Sequence, residues 1–310
     1  MNTPPPAYRH LFGPVPSRRY GRSLGVDLAE PKTCTLNCRF CQLGPTSLTT
    51  LERADRPPIH EILGELRSWL AAGEPVDFIT ASGSGEPTLH ARFGDLFRLV
   101  RAETASRSLL LSNGTLFSLP EVRRDAALAD VVKISLHAWD QSSFERIVRP
   151  HPALRFDAIL DGYRAFRQAY SGRLDLEVFI VPGLNDAPEQ AQRIAELAAA
   201  FAPDTVALNT AVRPPADSAV AACPAEKLRE LAALFGPAAQ ESGAEPARAP
   251  AALTDEALAA LVSRHPAAVA ALAATLGRTE AEMLTVLEGL ARRGLLKLFV
   301  ASGNRFAGPA

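Results

Sequence analysis

From Ser23 onward, short apolar and β-branched runs alternate with longer stretches whose apolar positions recur at helical spacing. Residues 23–27, 76–81, 108–112, 131–136, 174–181 and 205–208 read as strands bounded by glycine, proline and polar residues. Residues 60–72, 92–102, 156–170, 189–200 and 225–235 read as helices. Parallel neighbours need a long crossover, usually a helix, so this order predicts a parallel sheet. Six such units predict an α/β protein built as a partial (βα)6 TIM-like barrel, short of the eight units that ordinarily close one.

Alternation along the fourth strand places Val132, Ile134 and Leu136 on one face and Lys133, Ser135 and His137 on the other. The apolar set faces the outer helices, so the polar set points into the barrel. His137 then sits nearest the C-terminal mouth, where such barrels hold their sites, and is expected to meet substrate or water. The fifth strand presents Asp175 and Glu177 on its polar face. A buried lysine is costly unless paired or used. Lys133 and Glu177 are therefore expected side by side, as a structural ion pair or as part of a substrate site.

Residues 237–252 are rich in proline and alanine and have no apolar periodicity, which predicts a linker. It divides the chain into a barrel over 1–236 and a small domain over 253–310. In the latter, three helices followed by two short strands around a Ser302-Gly303-Asn304 turn predict a winged helix. From Ala251 onward there are six basic residues against five acidic ones, too weak an excess for a duplex binder. Docking of an RNA or protein substrate is the expected role.

The whole chain of 310 residues carries 33 basic and 34 acidic side chains, which excludes wrapping of nucleic acid by bulk positive charge. No apolar run approaches the roughly 20 residues of a membrane span, and the first ten residues lack a signal-peptide pattern. The expectation is a cytoplasmic protein without a membrane partner.

Four cysteines are too few for a disulfide-stapled domain. Three of them, Cys34, Cys38 and Cys41, have a C-x3-C-x2-C spacing in the loop after the first strand. Three thiolates so spaced can hold three irons of a [4Fe-4S] cube and leave the fourth iron open. The alternative is structural zinc, which wants four closed ligands. Cys223 precedes Pro224 and stands three residues before Glu226, the pattern of a helix N-cap, a proline at N1 and a capping-box glutamate. A fourth cluster ligand or a thiyl radical is the other reading of Cys223.

The triplet within PSRRYGRSLGVDLAEPKTCTLNCRFCQLG, with Phe40 before its third cysteine, resembles the radical S-adenosylmethionine (SAM) superfamily. SGSGEPTLH, at residues 82–90, resembles that family's glycine-rich motif. GPVPSRRYGRSLGVD, ADVVKISLHAWD, RIVRPHP, EVFIVPGLND and LNTAVRPPA resemble, within it, the group of the wyosine-tRNA (imidazoguanosine) synthases. The resemblance covers about residues 12–236. No cysteine precedes Cys34, whereas those synthases have cysteines for a second cluster there, so only the superfamily's chemistry is carried over.

That resemblance implies a [4Fe-4S] cluster on the triplet and SAM on its open iron. It further implies reductive cleavage to a 5′-deoxyadenosyl radical, hydrogen abstraction from substrate, and an electron donor such as flavodoxin or ferredoxin. Glu86 is expected at the ammonium of SAM, or else as a helix-start carboxylate. Gly83, Gly85 and Pro87 belong to the same motif, with the glycines letting backbone approach the cofactor. Asn113 and Ser135 suit the carboxylate or ribose of SAM, against a plain turn at Asn113-Gly114 and a local hydrogen bond at Ser135. Val181 opens a loop, 181–186, that either embraces adenine through its backbone or is a simple Pro-Gly turn. Arg18, Arg19, Arg22, Arg149 and Arg213 fall in three loops and could grip an anionic substrate, with Arg213 best placed beyond the sixth strand. The substrate reading is a base in tRNA or another RNA. A small metabolite, a peptide, or a redox-sensing regulator that uses the winged helix are the alternatives.

Overall fold

The computed structural model describes residues 8–17, 19–240, 255–264, 266–301 and 303–310. The chain begins with β1 (Leu11–Ser17), β2 (Gly21–Val26), the two-residue strands β3 (Thr33–Cys34) and β4 (Leu48–Thr49), α1 (Ile59–Ala71), β5 (Phe78–Ala81), α2 (Gly94–Glu103) and β6 (Arg107–Leu111). It continues through α3 (Pro120–Ala126), β7 (Val131–Ser135), α4 (Gln141–Val148), α5 (Phe156–Ala169), β8 (Arg173–Phe179), α6 (Pro188–Ala199), β9 (Thr205–Asn209), α7 (Ala225–Ala233) and β10 (Ala239–Gln240). The main sheet runs β1-β2-β5-β6-β7-β8-β9-β10. All pairs from β2 to β10 are parallel, and β1 is antiparallel to β2.

The predicted strands thus appear in sequential order as parallel neighbours. The sheet is curled: Tyr20, before β2, donates to Asp175 Oδ2 on β8 at 2.8 Å, and Arg19 reaches Asn209 Oδ1 on β9 at 3.3 Å. Residues beside the first parallel strand can touch the fifth and sixth only across the interior of an incomplete barrel. Outward apolar positions such as Leu24, Ile79, Leu110, Ile134 and Leu176 are fully buried against Ile62, Leu66, Leu96, Phe97, Phe166 and Ile194. Each such side chain contributes about 1.5–3 kcal/mol of transfer free energy. On α5, Phe156, Ile159, Leu160, Tyr163 and Phe166 recur at helical spacing and form the buried stripe.

Two edges differ from expectation. β1 went unread because LFGPVPS carries a glycine and two prolines. As an edge strand, with an irregularity between Phe12 and Val15, it tolerates residues that cannot donate to a ladder. At the other edge β10 pairs with β9, so residues 239–240 extend the sheet into the stretch read as a linker. Residues 241–252 of that stretch lie outside the described residues.

The C-terminal part contains α8 (Asp255–Arg264), β11 (Ala267–Ala268), α9 (Val269–Thr275), α10 (Glu280–Arg292), β12 (Lys297–Ala301) and β13 (Asn304–Gly308). Its strands form an antiparallel sheet in the order β11-β13-β12. The three helices and two of the strands match the sequence reading. The third, β11, has two residues and is too short to show periodicity. Leu258, Val262, Leu272, Met283, Leu287 and Leu290 make a core separate from that of the barrel. Thr279 caps α10 in a reciprocal box with Glu282. Ser302, in the predicted turn, lies outside the described residues. Among the described residues no helix is long and apolar enough to cross a membrane.

Candidate functional site

The loop after β2 carries the cysteine triplet and is held by backbone groups that other elements leave over. The last carbonyls of a helix have no partner of their own. At the end of α4, Val148 O accepts from Asn37 N at 3.0 Å, and Ile147 O accepts from Arg39 N at 3.3 Å. β3 pairs with β4, and Thr35 Oγ1 lies 2.7 Å from Thr115 Oγ1. Asp217 closes the far side: its carboxylate accepts from Arg39 Nε at 2.8 Å and Arg149 Nη2 at 3.2 Å, and its N–H donates to Arg39 O.

Within this loop the Cys41 N–H donates to Cys38 O, turning the two residues toward one another. Burial pushes the Cys34 thiol up to about 12, with Glu86 and Cys41 adding to the rise against hydrogen bonds from Leu36 and Asn113. Burial raises Cys38 well above the usual thiol range, and Cys34 and Cys41 raise it further. Cys34 and Cys38 are thus both raised, chiefly by burial, with neighbouring thiols adding to the rise. Three thiols on one loop suit an iron-sulfur cube, whose positive irons favour the thiolate form. Among the described residues no group of three His, Cys, Asp or Glu side chains is spaced to hold a single metal ion.

The glycine-rich segment follows β5. Glu86 is buried and its carboxylate is fully engaged. Oε1 accepts from Thr88 N at 3.0 Å, Thr88 Oγ1 at 2.6 Å and Ser112 Oγ at 2.6 Å, while Oε2 accepts from Asn113 N at 2.8 Å. Burial raises its pKa against these donors. This side chain also starts the short 3-10 turn Pro87–Leu89, with Pro87 in its first turn, and ties the end of β5 to that of β6. The glycines also answer to the protein's own packing. A Cβ on Gly83, at φ +146°, would stand 2.2 Å from the Asp27 carboxylate, and one on Gly85 would stand 2.0 Å from Thr33 O. Asp27, which the sequence reading missed, accepts from Ser84 N and Ser84 Oγ and fixes this loop against β2.

Asn113 lies beside the triplet: Nδ2 is 3.5 Å from Cys34 Sγ and 2.8 Å from Thr35 Oγ1, and Oδ1 accepts from Thr115 N and Oγ1. Its amide is engaged in bracing the cysteine loop, a local role that the expected contact with SAM did not include. Ser135 lies opposite Glu177 in register, and its carbonyl accepts from Tyr163 Oη at 2.8 Å. Val181 N–H donates to Asn185 Oδ1 and its carbonyl accepts from Leu184 N. Both backbone groups of Val181 serve the turn.

Inside the barrel, Lys133 Nζ is 2.8 Å from Glu177 Oε1, the pair that the alternation anticipated, and Asn209 Nδ2 donates to the same oxygen. Burial opposes the charge on Glu177, but Lys133, His137 and Arg19 outweigh it and hold the carboxyl at about 2. His137 is buried, and burial brings it down to about 4, with Glu177 opposing and Lys133 assisting. Its Nδ1 accepts the Phe179 N–H at 2.9 Å, so the neutral ring carries its proton on Nε2. It meets Phe40 edge-on at 4.9 Å, and Phe40 stacks on Phe179 at 4.2 Å. The residue expected to be open to water is thus a clip between the cysteine loop and β8.

A cavity of about 360 Å³ is lined by Phe12, Thr80, Gly83, Gly85, Leu111 and Arg213 among others. Arg213 therefore faces the space beneath the glycine-rich loop. The other arginines separate: Arg19 reaches Asn209, Arg22 pairs with Glu74, and Arg149 pairs with Asp217. Arg18 lies outside the described residues. Cys223 does not cap α7. Pro224 is the N-cap, without a side-chain bond, because Cys223 N–H is drawn to Thr210 Oγ1 at 2.7 Å. The Cys223 thiol is buried near Asp186 and Lys227.

The family model described as the radical SAM superfamily matches residues 31–198. UPF0026 protein slr1464 of Synechocystis sp. is 36% identical over 215 residues, covering 69% of this chain and 78% of that one. GTPase Obg of Brachyspira hyodysenteriae is 37% identical over 205 residues, 66% of this chain, which spans only 30% of that protein's length. A probable dual-specificity RNA methyltransferase RlmN of Parasynechococcus marenigrum is 29% identical over 57% of this chain and 53% of its own. Among solved structures, TYW1 with a lysine-pyruvate adduct has a TM-score of 0.51 at 21% identity, covering 69% of this chain and 72% of that one. The chain belongs to the radical SAM superfamily and, within it, to the UPF0026 proteins. The superfamily uses a [4Fe-4S] cluster and SAM. At 21% identity, the likeness to TYW1 is one of fold.

Proposed function

We propose that this enzyme cleaves SAM reductively and takes a hydrogen atom from a base in tRNA or another RNA. The observation that carries the reading is the set of three half-buried cysteines on a loop pinned to the C-terminal mouth of the barrel, with Asn113 Nδ2 3.5 Å from Cys34 Sγ. Cys34, Cys38 and Cys41 would hold the cluster. Residues 82–85, fixed by Asp27 and Glu86, would offer backbone groups to the methionine end of SAM, with Ser135 on the opposite wall. When bound, these groups supply a carbon-centred radical able to abstract hydrogen.

The chain's own residues provide position and exclusion of water. Glu177 fixes Lys133, His137 stays neutral between Phe40 and Phe179, and Arg213 faces the cavity where a substrate would lie. The RNA part of the proposal is supported by the RNA methyltransferase relatives. The C-terminal part, with the element order of a winged helix, would dock the substrate. The electron would come from a flavodoxin or ferredoxin in the cytoplasm.

Anaerobic reconstitution tests the first half: with SAM and a chemical reductant the protein should release 5′-deoxyadenosine. A cluster that forms without any cleavage would favour a redox sensor. Nucleoside profiles of total tRNA and ribosomal RNA from a deletion strain test the second half, and should lack one modified nucleoside. Unchanged profiles together with an altered small-metabolite pool would remove RNA as the substrate.

A further inference from the structure

Lys32 stands two residues before the first cysteine in left-handed backbone, at φ +58°. Few residues other than glycine, asparagine and aspartate adopt that conformation without strain. Its backbone is held on both sides. The N–H donates to Ser84 O of the glycine-rich loop at 3.0 Å, and the carbonyl accepts from Ser47 N and Leu48 N. The side chain is thereby aimed at the cysteine loop. Its Nζ is buried without a hydrogen-bond partner among the described residues. A Cβ added to Gly44, three residues past Cys41, would lie 3.4 Å from Nζ.

A buried ammonium without a counter-charge is unfavourable. The barrel's other inward lysine, Lys133, has Glu177, so Lys32 is the exception, and a strained backbone keeps it so. The described residues supply Nζ with no hydrogen-bond partner. Three thiolates around an iron-sulfur cube form a centre that becomes more negative on taking an electron, and net charge nearby sets its potential. We propose that Lys32 is the built-in counter-charge of the cluster, a positioning residue that makes it easier to reduce. This rests on the assignment of the cysteine triplet as the cluster's ligands.

The test is an EPR-monitored redox titration of the reconstituted full-length protein, with iron content measured alongside. Lys32→Asn removes the charge while suiting the left-handed backbone, and Lys32→Arg keeps the charge. Lys32→Asn should hold the same iron and lose at least tenfold in electron affinity, a potential lower by about 59 mV for one electron. Lys32→Arg should titrate close to the wild type. Equal potentials in wild type and Lys32→Asn at equal iron content would overturn the inference while leaving the radical SAM assignment standing. Wild-type protein that takes up no iron would overturn that assignment and this inference with it.

Discussion

The two ends of the barrel solve the burial of polar groups in opposite ways. At the N-terminal ends of the strands, Tyr20, Phe78, Leu109 and Val131 form a small closed cluster. The buried acid beside it, Asp175, accepts from Tyr20 Oη, Arg173 Nε and Thr205 Oγ1. The bonds of that acid are made within the chain. At the C-terminal mouth, three cysteines share one loop and the buried Lys32 Nζ has no hydrogen-bond partner among the described residues. Groups left unsatisfied in a folded chain are where a ligand completes the structure. The proposed chemistry lies at the mouth, and the bonds of Asp175 at the other end serve stability.

The largest expected effect breaks this division at the mouth. Replacing Cys34, Cys38 or Cys41 with Ala should abolish iron uptake and 5′-deoxyadenosine release, while urea unfolding of the apoprotein changes little. Cys223→Ser should keep both activities, because that thiol sits with Asp186 and Lys227. Iron and sulfide assays on the four variants decide the matter. A Cys223 variant that also loses iron would erase the distinction.

The reverse is expected at the closed end. Asp175→Ala strands the hydroxyls of Tyr20 and Thr205 in the interior and should cost about 3 kcal/mol in urea unfolding. Iron content after reconstitution of the folded fraction should be unchanged. A variant of normal stability would show that the floor is not held by these bonds.

Acid sharpens the contrast. His137, lowered from 6.5 to about 4, binds no proton in the folded state when the unfolded chain does. Its contribution is complete above pH 6.5 and is lost as pH falls toward 4, by about 3 kcal/mol. Glu177, lowered from 4.5 to about 2, contributes fully above pH 4.5, and its share is lost between there and pH 2. Stability measured from pH 7 to 3 should fall in two stages, and His137→Asn should flatten the upper one.

Legibility in the sequence followed the range of the interactions. Period two put Lys133 and Glu177 on one face, and the cysteine spacing marked the loop, since both are local patterns. Glu86 was legible as a motif, but its occupation by Ser112 and Asn113 was not, because those donors come from the next strand. His137 was placed at the mouth by alternation. Its burial depends on Phe40 and Phe179, brought together only by the folded sheet. The cap expected at Cys223 failed because Thr210 competes for its N–H from thirteen residues away.

The smallest effect belongs to a residue with no sequence signal, Asp217, which joins the cysteine loop to the loop after β9. It lies 178 residues from Arg39 and 68 from Arg149. Both guanidiniums are partly exposed, so the pairs are screened by solvent and add little to global stability. Their effect is local: Arg39 stands between Cys38 and Phe40, and its carbonyl is also bonded to Asp217 N. Asp217→Asn keeps that backbone bond and weakens the two charge pairs. The expected outcome is an unchanged unfolding midpoint with faster loss of iron to a chelator, and a larger difference at low salt than at high salt. Identical chelation rates at both salt concentrations would mean that the helix-end carbonyls of Ile147 and Val148 hold the cysteine loop without this strap.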